Sequence, residues 1–179
     1  MDIVVFDLET QNLFQDVGGR GNIGGLKMSC GVTWNSKTND FSVYWEQTIH
    51  ELIAELKSAG RVVGFNLKGF DYQVLSPYAP QEKFQFLPTL DIMEDLFRIL
   101  KFRVSLDSVA QATLGENKLA DGIQAVGWWR SQELDKLVAY CRQDVDVTRR
   151  IYEYGCEHGT VKYRSRLGSI FSVEVNWKC

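Results

Sequence analysis

Residues 1–10 read MDIVVFDLET, and the fold turns on how this stretch is laid out. Ile3, Val4, Val5 and Phe6 form a short run of β-branched and aromatic residues, the pattern of a buried strand. Side chains on a strand alternate between faces, so Asp7 and Glu9 project to the same side, roughly 6.6 Å apart along the chain. Two carboxylates at the carboxyl end of a central strand are costly to hold near apolar surroundings unless something neutralises them. A single D-x-E pair is more simply explained as a strand end or a helix cap. The rest of the chain has to decide.

Working outward, two more acids stand in comparable settings. Asp71 lies in GFNLKGFDYQVL, residues 64–75, on an expected helix directly after the short strand RVVGF. Asp144 lies in YCRQDVDVT, residues 140–148, inside an amphipathic helix expected from about Ser131 to Tyr154. Leu134, Leu137, Val138, Cys141, Val145 and Thr148 make the inner side of that helix. Its outer side has Arg142, Asp146 and Arg150 as a solvated charge ladder, and Asp144 is not part of it. Asp144 therefore points inward. Tyr140 precedes it by one turn, so phenol and carboxylate share nearly one face, roughly 6 Å apart along the axis. Inward-pointing acids need partners, and the two histidines of the chain cannot form a cluster. Hard divalent cations bound by oxygen are the natural answer.

These residues carry a resemblance. FDLET, GFNLKGFDYQVL and YCRQDVDVT, in that order, resemble the three exonuclease motifs of the DEDD superfamily of 3′ to 5′ exonucleases, which have a ribonuclease-H-like fold. The motifs span most of the chain, from Asp7 to Asp144. That superfamily divides by whether a histidine lies five residues before the last aspartate or a tyrosine four before it. Ala139 stands at the first position and Tyr140 at the second, so the chain resembles the tyrosine branch.

The resemblance implies an α/β fold, a mixed β-sheet flanked by α-helices, with residues 1–179 as a single exonuclease domain. It implies two Mg²⁺ or Mn²⁺ ions, roughly 3.5 to 4 Å apart, held by Asp7, Glu9, Asp71 and Asp144. Asp7 would bridge both, Glu9 and Asp144 would hold the ion on the nucleophile's side, and Asp71 would act on the other through water. Tyr140 would orient the attacking water, since a phenol with an ordinary pKa near 10 is a poor base at neutral pH. Leu8, Thr10, Asn66 and Phe70 are implied as substrate contacts. The substrate would be the single-stranded or frayed 3′ end of DNA or RNA, released as nucleoside 5′-monophosphates. Whether a polymerase or helicase accompanies the domain stays open.

Bulk properties bound the alternatives. The chain has 179 residues, 45% apolar and 24% charged, an ordinary composition for a soluble globular protein. Its longest uncharged apolar runs, such as IVVF, are far short of the roughly 20 residues a membrane span needs. A first strand beginning at Ile3 leaves no room for a signal or transit peptide, so a cytoplasmic protein is expected. Cys30, Cys141, Cys156 and Cys179 lack a C-x-x-C spacing, which argues against zinc and a disulfide framework and for buried thiols. The net charge of −3 looks unfavourable for a nucleic-acid protein, yet two divalent cations set against four carboxylates would reverse its sign.

Other features compete for attention. GRGNIG, residues 19–24, matches the dinucleotide pattern G-x-G-x-x-G, but it neither follows a strand at once nor opens a helix, so a connection beside the substrate is expected. Trp128 and Trp129 could stack on bases and are read instead as packing anchors. Asp91 in FLPTLDIM is read as a helix cap. Lys162, Arg164 and Arg166 form one basic cluster and Arg98, Lys101 and Arg103 another; each fits a backbone grip or a solvated face. GLKMSCGVTWN and DFSVYW should add two strands in a meander, FQFLPTLD a short strand, and TVKYRSR with IFSVEVNW a closing hairpin around LGS. A metal-dependent endonuclease and a noncatalytic nucleic-acid or partner-binding module are the competing functions.

Overall fold

A computed structural model describes residues 2–116 and 122–178. The first strand, β1 (Ile3–Thr10), is the middle of a five-stranded sheet. On one side it pairs antiparallel with β2 (Met28–Asn35), which pairs antiparallel with β3 (Asp40–Trp45). On the other it pairs parallel with β4 (Arg61–Gly64), which pairs parallel with β5 (Thr89–Asp91). Six helices accompany the strands among the described residues: α1 (Ile49–Ser58), α2 (Asp71–Leu75), α3 (Ile92–Leu100), α4 (Leu106–Leu114), α5 (Gly122–Arg130) and α6 (Leu134–His158). A separate two-stranded sheet, β6 (Thr160–Arg164) with β7 (Ile170–Glu174), closes the chain. The mixed sheet flanked by helices is the α/β architecture that the sequence predicts.

The alternation of β1 separates two cores. Val4, Phe6 and Leu8 face a cluster built with α1, α2, Leu26 and Met28, whereas Ile3 and Val5 face one built with α6, β2 and α5. A fully buried Val, Leu or Phe contributes about 1.5–3 kcal/mol, so both faces of this strand are anchored. Asp7 and Glu9 continue the face of Ile3 and Val5, where apolar residues give way to carboxylates. The β1–β2 register steps between Leu8, opposite Gly31, and Thr10, opposite Met28, a bulge at the level of Glu9.

Helix α6 supplies the other wall. Leu137, Tyr140, Cys141, Val145, Thr148, Ile151 and Gly155 are buried at helical spacing, and the helix packs against β1 and β2. Close approach continues to its end, where a β-carbon on Gly155 would run into the indole of Trp177. Several expected details differ. The long helix starts at Leu134 and ends at His158, three to four residues later than periodicity suggests at either end, because fraying polar residues at Ser131–Glu133 leave the helix and Gly159 in a left-handed conformation ends it. Its outer ladder is not merely solvated, since Arg142 lies over Phe41, 4.3 Å from the ring centre, and Arg149, beside the ladder, lies over Trp34 at 5.0 Å. Trp128 and Trp129 sit inside α5 rather than before a helix, packed against the core as anchors.

The expected strand FQFLPTLD shrinks to β5, with a short 3-10 turn at Phe84–Phe86 before it, because Pro88 cannot donate to a ladder. GRGNIG forms a turn leading into a 3-10 segment at Ile23–Leu26, which excludes the strand–turn–helix setting of a dinucleotide site. Cys30 and Cys141 are free buried thiols as expected, while Cys156 is disulfide-bonded, a departure from the expectation of thiols throughout. Cys179 lies outside the described residues. No helix among the described residues is long and apolar enough to cross a membrane.

Candidate functional site

Three elements meet at the carboxyl end of β1. Asp7 and Glu9 come from the strand itself, Asp71 from the first position of α2 and Asp144 from the middle of α6. Asp7, Glu9 and Asp144 each offer a carboxylate oxygen within 4.8 Å of the others. Asp71 stands outside that trio, yet its charge reaches Asp7, and its Oδ1 accepts a hydrogen bond from the Leu8 N–H at 3.2 Å. Asp7 and Asp144 are half-buried, while Glu9 and Asp71 are buried, 9% and 2% exposed.

Electrostatics follow from that crowding. Burial, then the negative charges of Asp71, Asp144 and Glu9, raise the Asp7 carboxyl well above its usual range, with the Cys141 thiol opposing. That thiol donates to the Asp7 carbonyl at 3.4 Å and to Oδ2 at 3.6 Å. Burial also pushes Asp71 up to about 8, although its own backbone N–H and that of Leu8 pull the other way. Tyr140 is raised by burial and by Asp144, Glu9 and Asp7, so it keeps its proton and donates it to Asp144. Trp128 holds the phenol from behind, edge to face at 6.0 Å.

The four carboxylates open into a cleft of ≈ 360 Å³. Leu8, Thr10, Asn66 and Phe70 all line it, together with Asp7, Glu9, Asp71 and Asp144. Of the residues assigned from sequence as metal ligands, catalytic groups or substrate contacts, Tyr140 alone does not line it; its ring is 8% exposed and packs beside Asp144. An all-oxygen donor set, crowded enough to raise the proton affinity of Asp7, suits a hard divalent cation, and Asp7, Glu9 and Asp144 could hold one.

A family model described as RNase_H superfamily matches residues 4–156, which takes in all four acids. The chain belongs to the ribonuclease H superfamily. No curated protein gives a match. Within that superfamily, an acidic trio able to bind metal at the end of the central strand supports a metal-dependent nuclease acting on nucleic acid.

Several cleft residues escape sequence reasoning. Asn12, Leu13 and Phe14, on the connection before GRGNIG, form one rim, with Phe14 edge-on to Phe70 at 6.2 Å. Arg20 of GRGNIG stacks over that Phe14 ring at 5.2 Å, so the glycine-rich connection does lie beside the cleft. Ile123, 68% exposed, and the buried Val126 of α5 line it as well. Nothing in their spacing marks them, because only the tertiary path of the chain brings them to the acids. Asp91 caps α3 as expected, accepting from the Glu94 N–H, and also accepts from the N–H groups of Asn66 and Lys68. It thereby pins the β4–α2 loop, holding Asn66 at a left-handed φ of +69°.

Proposed function

We propose that this protein is a 3′ to 5′ exonuclease of the tyrosine type, acting on single-stranded or frayed nucleic acid. The observation that carries the proposal is the meeting of Asp7, Glu9 and Asp144 within 4.8 Å, with Asp71 beside them and the Tyr140 phenol donating to Asp144. Asp7, Glu9 and Asp144 would hold Mg²⁺ or Mn²⁺, with Asp71 contributing to a second ion. Bound divalent ions of this kind lower the pKa of water and neutralise charge on a phosphate and its leaving oxygen.

The chain's own residues do the rest. Tyr140, protonated throughout the neutral range, fixes the Asp144 carboxylate and leaves its oxygen to accept from a water. Asn66 and Phe70 face the cleft from the side of α2, and Leu8 and Thr10 from β1, where a terminal nucleotide would sit. Water adds to phosphorus as the bond to the 3′ oxygen breaks. The products are a nucleoside 5′-monophosphate and a strand one nucleotide shorter with a free 3′-hydroxyl.

Labelled oligonucleotides test this directly. A 3′-labelled single strand with Mg²⁺ should yield labelled mononucleotide as its first product, and a 5′-labelled one a descending ladder. Early internal fragments would indicate an endonuclease instead, and binding without metal-dependent product a noncatalytic module. Running DNA and RNA of the same sequence in parallel reads the sugar preference.

A further inference from the structure

The acid cleft continues into two further hollows. It shares Asn66 with a hollow of ≈ 340 Å³ lined also by Lys68, Phe97 and Arg103. That hollow in turn shares Arg103 with a third of ≈ 920 Å³, lined by Phe102, Tyr163, Arg164 and Arg166. A continuous route thus leads from the carboxylates, across the end of α3, to the β6–β7 hairpin.

The chemistry along this route differs from the rest of a chain whose net charge is −3. Lys68, Arg103, Arg164 and Arg166 line it, and the acids facing them are Asp91, Glu94 and Asp107. Asp91 is taken up by three backbone N–H groups, and Glu94 by Lys68 and Arg98. Arg103 and Arg166 are exposed. Aromatic rings alternate with these cations: Phe97 and Phe102 are 44% and 48% exposed, and Phe102 meets Tyr163 at 5.7 Å, which stacks on Phe171 at 5.6 Å. Exposed rings interleaved with arginines are the combination that grips a single strand, bases on the rings and phosphates on the cations. Asn66 Oδ1, Arg164 Nε and Ser165 Oγ lie along the same route, buried without a hydrogen-bond partner. The hairpin is a firm support, because Ser108 and Thr113 of α4 bond the outer backbone edge of β6 at Arg164 and Lys162.

We propose that this route is a track for the single-stranded segment lying 5′ to the scissile end, running from Asn66 over Arg103 to Arg164 and Arg166. The proposal rests on the exonuclease reading for its direction, with the 3′ end at the acids. Single-stranded nucleic acid is the occupant because the track alternates cations with flat hydrophobic faces, whereas a duplex would bury its bases away from the rings.

Fluorescence anisotropy of a labelled 20-nucleotide single strand, as DNA and as RNA and without divalent cation, tests the track apart from catalysis. The double variant Arg103→Glu, Arg166→Glu should bind the 20-mer at least about 25-fold more weakly at 0.1 M salt, the loss expected from two phosphate contacts at about 0.7 counterions each. Its salt dependence should flatten by a slope of about 1.4. A dinucleotide, confined to the acid cleft, should lose far less. The matched variant Lys37→Glu, Lys57→Glu, on the β2–β3 turn and α1, controls for net charge. Equal losses in both double variants, an unchanged salt slope, or an equal loss for the dinucleotide would overturn the track. Loss of the track with 3′-end mononucleotide release intact leaves the exonuclease reading standing; the reverse result leaves binding standing and sinks the polarity.

Discussion

Asp7 and Tyr140 answer differently to small substitutions, because one is a candidate metal ligand and the other a hydrogen-bond donor beside a ligand. Asp7→Asn removes a charge from a group already crowded by Asp71, Asp144 and Glu9. We expect turnover to fall by about 10³-fold or more, the worth of several kcal/mol of lost charge stabilisation. At the same time the melting midpoint of the metal-free variant should rise, since a source of repulsion is gone. Turnover within tenfold of the parent's would remove Asp7 from the chemistry. Tyr140→Phe deletes only the hydroxyl that donates to Asp144. Its rate should drop about 100-fold, while Mn²⁺ affinity by calorimetry stays within a factor of about three; comparable loss of metal would make Tyr140 a structural support for the site. The pairing of Tyr140 with Asp144 was legible from a spacing of one helical turn. The Cys141 thiol against Asp7 was not, because a buried cysteine on an inner helical face reads as ordinary core until the strand facing it is known.

At the scale of elements, Asp91 joins two of them. Its carboxylate caps α3 and draws in the N–H groups of Asn66 and Lys68, so one side chain sets both a helix start and the loop that brings Asn66 to the cleft. Asp91→Ala should cost about 2–4 kcal/mol in urea unfolding, from the lost cap and the stranded N–H groups. Activity should fall as well, since the N–H of Asn66, held at positive φ, would lose its carboxylate acceptor; a stability loss under about 0.5 kcal/mol would show that the loop is fixed by other contacts. The helix cap was readable from FLPTLDIM, but the second task was not. Hydrogen bonds across 23 and 25 residues of sequence leave no periodic trace. Likewise the start of α6 and the presence of α5 around Trp128 depended on packing that overrides local propensity.

For the molecule as a whole, the cluster ties folding to metal and to pH. Asp71 has a folded pKa of about 8 against an ordinary 3.8, so the folded metal-free chain keeps a proton that the unfolded chain releases. The advantage of that proton is full below the ordinary value and is lost as pH rises through the folded one, and Asp7 shifts in the same direction. The melting midpoint in chelator should therefore fall from about pH 5 to about pH 8. Mg²⁺ or Mn²⁺ at 100 times its dissociation constant should restore about 2.7 kcal/mol, with the gap between metal-bound and metal-free curves widening as pH rises. A metal-free midpoint that climbs over this range would show that the acids are not crowded in solution.

Sequence alone determined which residues are acidic, apolar or aromatic at strand and helix spacing. That was enough for the buried first strand and the inward face of Asp144, because alternation and the helical turn are local geometry; the mixed α/β class and the meeting of the acids were expected from the resemblance that the ordered motifs carry. Tertiary structure decided what those periods cannot carry. It set Asp71 outside the close trio, put Tyr140 beside Asp144 rather than in the cleft wall, and brought Phe14 and Ile123 to the cleft. It also joined Asn66, Arg103 and Arg166 into one route. Each of these depends on distances between segments far apart in the chain, which arise when the two cores on either face of β1 close and not before.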